Sequence, residues 1–383
     1  AVVLSKLKNI FPVQFGPLLG NGVYVVEIAA FALAIPYIQE SYHLTDSQAP
    51  YLYSVYSISL SVSLLLGGYL GDRISIGVVF SIGLIVFAIG GFGILSAYGF
   101  VSLILWRVAQ GIGAGLFSPA VPVLLTRHAK KGSADALTKW GAISGLGAAF
   151  SPWLFAVLSE YQSWKIAWFP IPAFSLLAFV LFLGHLKKTS RNEISHTFVP
   201  NAGFCAGIFY VFICYGMTTW IIYSIPYVAI KAGVTSKIDS GLLLTMLWVV
   251  FSAVCYLMKA AVGNKALKAY LFLGPIFCCV AIFLLAFAAD YRFLALAAFL
   301  GGCGMALNNM PTTPFILLHV PYENRAFAAS LDIVAARLGG AFAVGVVTYD
   351  SEYLPVAAIL SAAMCLGLVG TLAKTCRAGS IVR

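Results

Sequence analysis

Long apolar stretches separated by short polar breaks run through the whole of this chain. They lie near 15–38, 49–71, 77–97, 101–126, 137–159, 165–185, 202–230, 239–259, 266–289, 293–318, 326–348 and 353–373. Each has about the 20 residues that a helix needs to cross roughly 30 Å of hydrocarbon. The pattern predicts an all-α membrane protein with twelve transmembrane helices and both termini on one side. The one long polar break, Leu186 to Pro200, joins the sixth stretch to the seventh. It suggests an N-terminal six-helix bundle over 1–186, a cytoplasmic linker over 187–200 and a C-terminal six-helix bundle over 201–383.

The two halves also resemble each other. Gly71-Asp72-Arg73 returns 192 residues later as Gly263-Asn264-Lys265, Pro119 and Pro122 return as Pro311 and Pro314, and Gly147 as Gly339. A repeat this long in an apolar chain points to duplicated membrane halves, so the two bundles should be pseudo-symmetric. Such halves commonly enclose a central site that opens to alternate sides.

Composition agrees with burial in lipid. Hydrophobic residues make up 61% and charged residues 9%, whereas a soluble domain carries about 25% charged residues to face water. The net charge of +10 could suggest nucleic acid, but its distribution gives a topology instead. With the termini placed in the cytoplasm, the inner segments hold seventeen Lys and Arg and the outer loops only Lys165, Lys231, Lys237 and Arg292. Basic residues favour the cytoplasmic side. The expectation is a multi-pass protein of the inner or plasma membrane, working as a monomer and binding no nucleic acid. The first 14 residues are too short and polar for a separate signal peptide, so the first stretch is expected to direct insertion.

Intramembrane charges mark candidate function, because a charge in hydrocarbon is costly. Glu27 lies about twelve residues into the first stretch, near the bilayer midplane, in a polar arc with Asn21 and Tyr24. A carboxyl there is expensive to keep charged, which suits a proton carrier. Arg107 lies about six residues, or roughly 9 Å, inside the fourth stretch. Arg337, near the midplane of the eleventh, calls for an anionic partner: either a substrate carboxylate or phosphate, or Glu27. Asp332 is nearer the inner end and stands about 140° around the helix from Arg337, so the two are not expected to pair. Asn308 and Asn309 approach the height of Asp332 and suggest a polar cluster near an inner gate. The seventh stretch adds Tyr210, Tyr215, Trp220 and Tyr223, an aromatic set suited to a ring-containing ligand or to packing.

Between the second and third stretches lies Gly68-Tyr69-Leu70-Gly71-Asp72-Arg73, and the fourth carries Leu103-x-x-x-Arg107-x-x-Gln110-Gly111-x-Gly113-Ala114-Gly115. With Trp164-Lys165-x-x-Trp168-Phe169-x-x-Pro172 opening the sixth, the whole chain resembles the major facilitator superfamily. The resemblance implies a secondary transporter working by alternating access, with Gly68, Asp72, Arg73, Gln110 and Asp332 in gating. The substrate would be a small molecule and the coupling ion a proton. Two departures bear on the subfamily. Ser75-Ile76-Gly77 replaces the usual basic tail of the loop motif, and Gly147 to Ala156 keeps only the first Gly and the Pro of the antiporter pattern.

The expected function is export of a metabolite or drug by proton antiport, the alternative uptake of an organic anion by proton symport. A receptor that transports nothing is a third possibility, but it would have no need of intramembrane charges. Nothing in the sequence suggests an enzyme or calls for a cofactor. The histidines lack metal-ligand spacing, and all eight cysteines fall in the second half without a C-x-x-C pair, as packing residues.

Overall fold

The structure is a computed structural model, and it describes residues 12–127, 133–183, 185, 200–234, 236–258, 264–321 and 325–346, with a few isolated positions beyond. Among the described residues regular structure is helical throughout, and the chain divides into two compact units, Ala1–Ile194 and Ser195–Arg383. The expected linker, Pro200 apart, lies outside the described residues, and so does nearly all of the twelfth stretch.

The first unit contains α1 (Phe15–Tyr42), α2 (Tyr51–Arg73), α3 (Ile76–Leu95), α4 (Phe100–Phe117), α5 (Ala120–Arg127), α6 (Ser133–Tyr161), α7 (Trp164–Trp168) and α8 (Pro170–Leu183). The second contains α9 (Ala202–Lys231), α10 (Lys237–Met258), α11 (Asn264–Ala286), α12 (Tyr291–Leu317) and α13 (Arg325–Val346). Ten helical segments are long and apolar enough to cross a membrane, and the apolar part of α2, Tyr51–Gly67, is a shorter eleventh. The first eleven stretches read from the sequence thus fall on described helices. Large apolar side chains such as Val62, Leu66, Val101 and Leu105 are exposed on helix surfaces, where lipid rather than water would meet them.

The duplication is visible in the packing of each unit. In the first, α4 packs on α3 and α2, while α1 packs on α6 and α8. In the second, α12 packs on α11 and α10, while α9 packs on α13. Small residues allow the close approach at equivalent helix pairs. A Cβ on Gly113 of α4 would lie 2.7 Å from the carbonyl oxygen of Gly83 in α3. One on Gly304 of α12 would lie 2.9 Å from the backbone nitrogen of Cys278 in α11.

The prolines of the repeat act differently in the two copies. In the first unit a turn at Ser118-Pro119 separates α4 from α5, as expected of a residue that lacks an N–H and crowds the preceding turn. Helix α12 continues through both Pro311 and Pro314. The tryptophans of the sixth stretch serve as pins. The Trp168 indole donates to the Gly91 carbonyl at 3.2 Å and that of Trp164 to Ser41 Oγ at 2.8 Å. Ser175 Oγ adds a bond to the Leu84 carbonyl at 2.9 Å, so α8 is held to α3 by polar contacts as well as by burial.

Gly113→Val is expected to destabilise the protein by about 1–3 kcal/mol, because the added atoms meet backbone that cannot yield. Thermal unfolding in detergent should show it as a lowered Tm. Gly141→Ala, where an added Cβ meets nothing within 4 Å, should leave the Tm in place.

Candidate functional site

A buried ion pair lies inside the first unit. Glu27 comes from α1, whose following turns present Ala30, Phe31 and Ala34 at no more than 1% exposure. This small and aromatic face lets neighbouring helices close over the carboxyl. Arg107 and Gln110 are one turn apart on α4 and therefore share a face. Gly90 of α3 allows that face to be packed tightly, since a Cβ there would lie 2.5 Å from the Gln110 backbone nitrogen. Glu27 and Gln110 are fully buried and Arg107 is 1% exposed.

Arg107 Nη1 donates to Glu27 Oε1 at 2.6 Å and to Gln110 Oε1 at 2.5 Å. Its Nε donates to the Leu52 carbonyl of α2 at 3.1 Å. The guanidinium carbon lies 3.6 Å from the ring centre of Phe31 and 4.1 Å from that of Tyr56. Two π-faces and three acceptors together replace the water that the cation has lost. Among the described residues this is the one ion pair between buried side chains. Glu27 Oε2 and Gln110 Nε2 are buried without a hydrogen-bond partner there. The carboxylate thus keeps one oxygen on the guanidinium and leaves the other without a hydrogen bond among the described residues.

The other members of the polar arc on α1 turn elsewhere. Asn21 Nδ2 donates to Ser144 Oγ of α6 at 2.8 Å, and Tyr24 meets Phe117 edge-on with ring centres 5.9 Å apart. Glu27, considered above as a partner for Arg337, is held instead by Arg107 of its own unit. Gln110, expected in gating, is bound to that same guanidinium. Asp72 and Arg73 end α2, with Gly68 a turn earlier, and the side chains there lie outside the described residues.

The second unit holds two polar groups. In one, the Tyr210 hydroxyl lies 2.8 Å from Asn308 Oδ1 and 2.9 Å from the Leu271 carbonyl, with one proton to donate between them. Asn308 Nδ2 faces Cys278 Sγ at 3.4 Å, and Thr218 Oγ1 is 3.8 Å from the same sulfur. Asn308 is 1% exposed, so this group ties α9, α11 and α12 together. In the other, the Tyr215 hydroxyl donates to Asn309 Oδ1, and Thr313 Oγ1 donates to Asp332 Oδ2 at 2.5 Å. Asp332 and Arg337 of α13 both act electrostatically on Tyr215. Arg337 is half-buried and Trp220 is buried. Asn308 and Asn309 therefore belong to different groups, and Asn309 is the one that accompanies Asp332.

Sequence reasoning singled out both Glu27 and Arg107 but missed that they pair. The signal was available in their heights. Twelve residues from the inner side is about 18 Å, and six from the outer side of a 30 Å core leaves about 21 Å. Phe31, Tyr56 and the Leu52 carbonyl gave no such signal, because apolar rings and backbone oxygens occur all along these helices. Thr313 could have been found one turn beyond Asn309.

The family model described as Major Facilitator Superfamily matches residues 18–344. Among curated proteins, the chain is 25% identical over 190 residues to the "Hexuronate transporter" of Bacillus subtilis, covering 49% of this chain and 44% of that protein. It is 25% identical over 177 residues to the "Tetracenomycin C resistance and export protein" of Streptomyces glaucescens, covering 45% and 33%. The matches span less than half the length of both relatives. Among solved structures, a mutant of the nucleoside transporter NupG superposes with a TM-score of 0.77 at 12% identity, over 94% of this chain and 99% of that one. A POT family peptide transporter superposes with a TM-score of 0.76 at 11% identity, over 97% and 98%. At these identities the structural likeness shows the fold alone.

Removing one member of the buried pair should cost far more than removing both. Arg107→Ala is expected to destabilise the first unit by about 3–5 kcal/mol, since it leaves a buried carboxyl without its cation. Arg107→Met combined with Glu27→Leu should recover most of that loss. Thermal unfolding of the purified variants checks the order, and a double variant no more stable than Arg107→Ala would contradict it.

Proposed function

The chain belongs to the major facilitator superfamily, and we propose that it is a secondary active transporter that exports a small organic molecule by proton antiport. The observation that carries this reading is the Glu27 carboxyl, fully buried, with Oε1 on Arg107 and Oε2 without a hydrogen-bond partner among the described residues. A proton added at Oε2 neutralises Glu27 and leaves Arg107 as a buried cation without its counter-charge. That state differs in energy from the paired one by several kcal/mol in a desolvated setting. Proton binding can then shift the balance between two conformations of the transporter, as alternating access requires.

Proton coupling through Glu27 suits either direction, and export is favoured over anion uptake by the state of Arg107. Uptake of an anion would call on Arg107 and Arg337 to attract it, but Arg107 is already neutralised by Glu27. The relative named for resistance and export agrees with the direction. The excess of Lys and Arg in the inner segments supports a cytoplasmic placement of both termini in the inner or plasma membrane. Asn21, Tyr24, Tyr215, Trp220, Asn308 and Asn309 are the proposed polar and aromatic surroundings of substrate and proton. Asp72, Arg73 and Asp332 are the proposed gate, and the working unit is a monomer.

Uptake of an organic anion by proton symport is the second reading. Its support is Arg337, half-buried on α13 beside Tyr215, together with the relative named as a hexuronate transporter.

One measurement tests the proton-carrier role and a second separates the two readings. In proteoliposomes loaded with lipophilic cations or organic anions, Glu27→Gln should reduce transport driven by a pH gradient about tenfold or more, while exchange without a gradient persists. Wild-type driven transport that survives this change would sink the proton-carrier role. In ligand-induced thermal stabilisation, an Arg337→Ala variant should keep its response to cations under the export reading. Loss of stabilisation by anions in that variant, with no response to cations in the wild type, would establish uptake instead.

A further inference from the structure

The geometry points to Gln110 as a positioning residue that holds Arg107 in place while Glu27 carries a proton. This rests on the proton-carrier reading of Glu27 and concerns what happens to the arginine when its counter-charge is cancelled. Both protons of Arg107 Nη1 are engaged, one by Glu27 Oε1 at 2.6 Å and one by Gln110 Oε1 at 2.5 Å. The two acceptors serve the same nitrogen. When Glu27 is anionic the carboxylate is the stronger of the two. When Glu27 is neutral the amide oxygen of Gln110 and the Leu52 carbonyl become the main polar acceptors for a guanidinium that is 1% exposed.

Among the described side chains of the first unit no other charge lies beside the pair to take over. Around α1, α6 brings Glu160 and α7, bonded to it through Trp164, brings Lys165, both exposed near helix ends; α8 has no charged residue, and the side chains of Arg127 on α5 and of Asp135 and Lys139 on α6 lie outside the described residues. Tyr56 of α2 and Phe31 of α1 offer ring faces to the guanidinium. On α1 itself, Tyr24 packs on Phe117 and Tyr37 packs on Phe155. A cation this deep with no fixed acceptor would leave its place for water or for an anion. Gln110 removes that tendency. It lets Glu27 change charge without Arg107 moving, and so keeps Arg107 from acting as a substrate-binding cation. The close contact of Gly90 with the Gln110 backbone fixes the amide's height on α4.

The test is a double-mutant cycle between positions 27 and 110, read by thermal unfolding of the purified full chain at neutral pH. Glu27→Gln mimics the protonated carboxyl, and Gln110→Met removes the second acceptor at nearly constant volume. The expected result is a fall in Tm from Gln110→Met that is about twofold or more larger in the Glu27→Gln background than in the wild type, because contacts to one group are not additive. Equal falls in the two backgrounds would overturn the inference and leave Gln110 an ordinary packing residue. Should the double variant fail to fold, the exchange Glu27→Gln with Gln110→Glu decides. It again gives Nη1 one carboxylate and one amide, so it should regain most of the Tm lost in Glu27→Gln alone, and no recovery would count against Gln110. The proton-carrier reading stands or falls separately, on whether Glu27→Gln abolishes transport driven by a pH gradient.

Discussion

A guanidinium and a carboxylate cannot be taken out of water separately, and the first unit is arranged around bringing Glu27 and Arg107 out of it together. The pair links α1 to α4, and the bond from Arg107 Nε to the Leu52 carbonyl extends the link to α2. Three helices that share no continuous polar face are thereby held in one rotational setting. Lipid provides little hydrophobic force between helices, so close packing and polar contacts of this kind decide how they sit. The glycines of α3 and α4 make that setting attainable by bringing backbone to backbone beside Gln110.

Under the proposed function, the same pair would join stability to activity. Breaking it by removing one partner would leave a buried charge without compensation, a cost of several kcal/mol. A structural ion pair normally has every lone pair satisfied, whereas here Glu27 Oε2 has no hydrogen-bond partner among the described residues. That unfilled capacity is the observation behind the coupling role proposed for the site.

Duplication supplied both units with one packing scheme but not with one chemistry. Where the first has an ion pair on its fourth span, the second has neutral partners on its corresponding helix, with Asn308 against Tyr210 and Cys278, and Asn309 against Tyr215. On α13 it carries the charges Asp332 and Arg337 instead. The repeated glycines and prolines preserve a scaffold that needs close helix contacts, while polar residues inside it diverged.

Much of this was legible without coordinates. Apolar runs of membrane length determined an all-helical, multi-pass chain, and the spacing of 192 residues determined that it has two like halves. The Arg107-Gln110-Gly111 helix and the Asp72-Arg73 loop placed it with one superfamily, and the cost of charge in hydrocarbon marked Glu27, Arg107, Asp332 and Arg337 for attention. What the sequence left open was who meets whom. A span whose surface is apolar on both its protein-facing and its lipid-facing sides carries little record of which way it is turned. Glu27 could therefore be read against Arg337 as readily as against Arg107, and Asn308 grouped with Asp332. Only the tertiary structure, by fixing the rotation of α1 and α4 through glycine contacts and the fit of Phe31 and Tyr56 around the guanidinium, decided that Glu27 belongs to Arg107 and that Gln110 stands beside them.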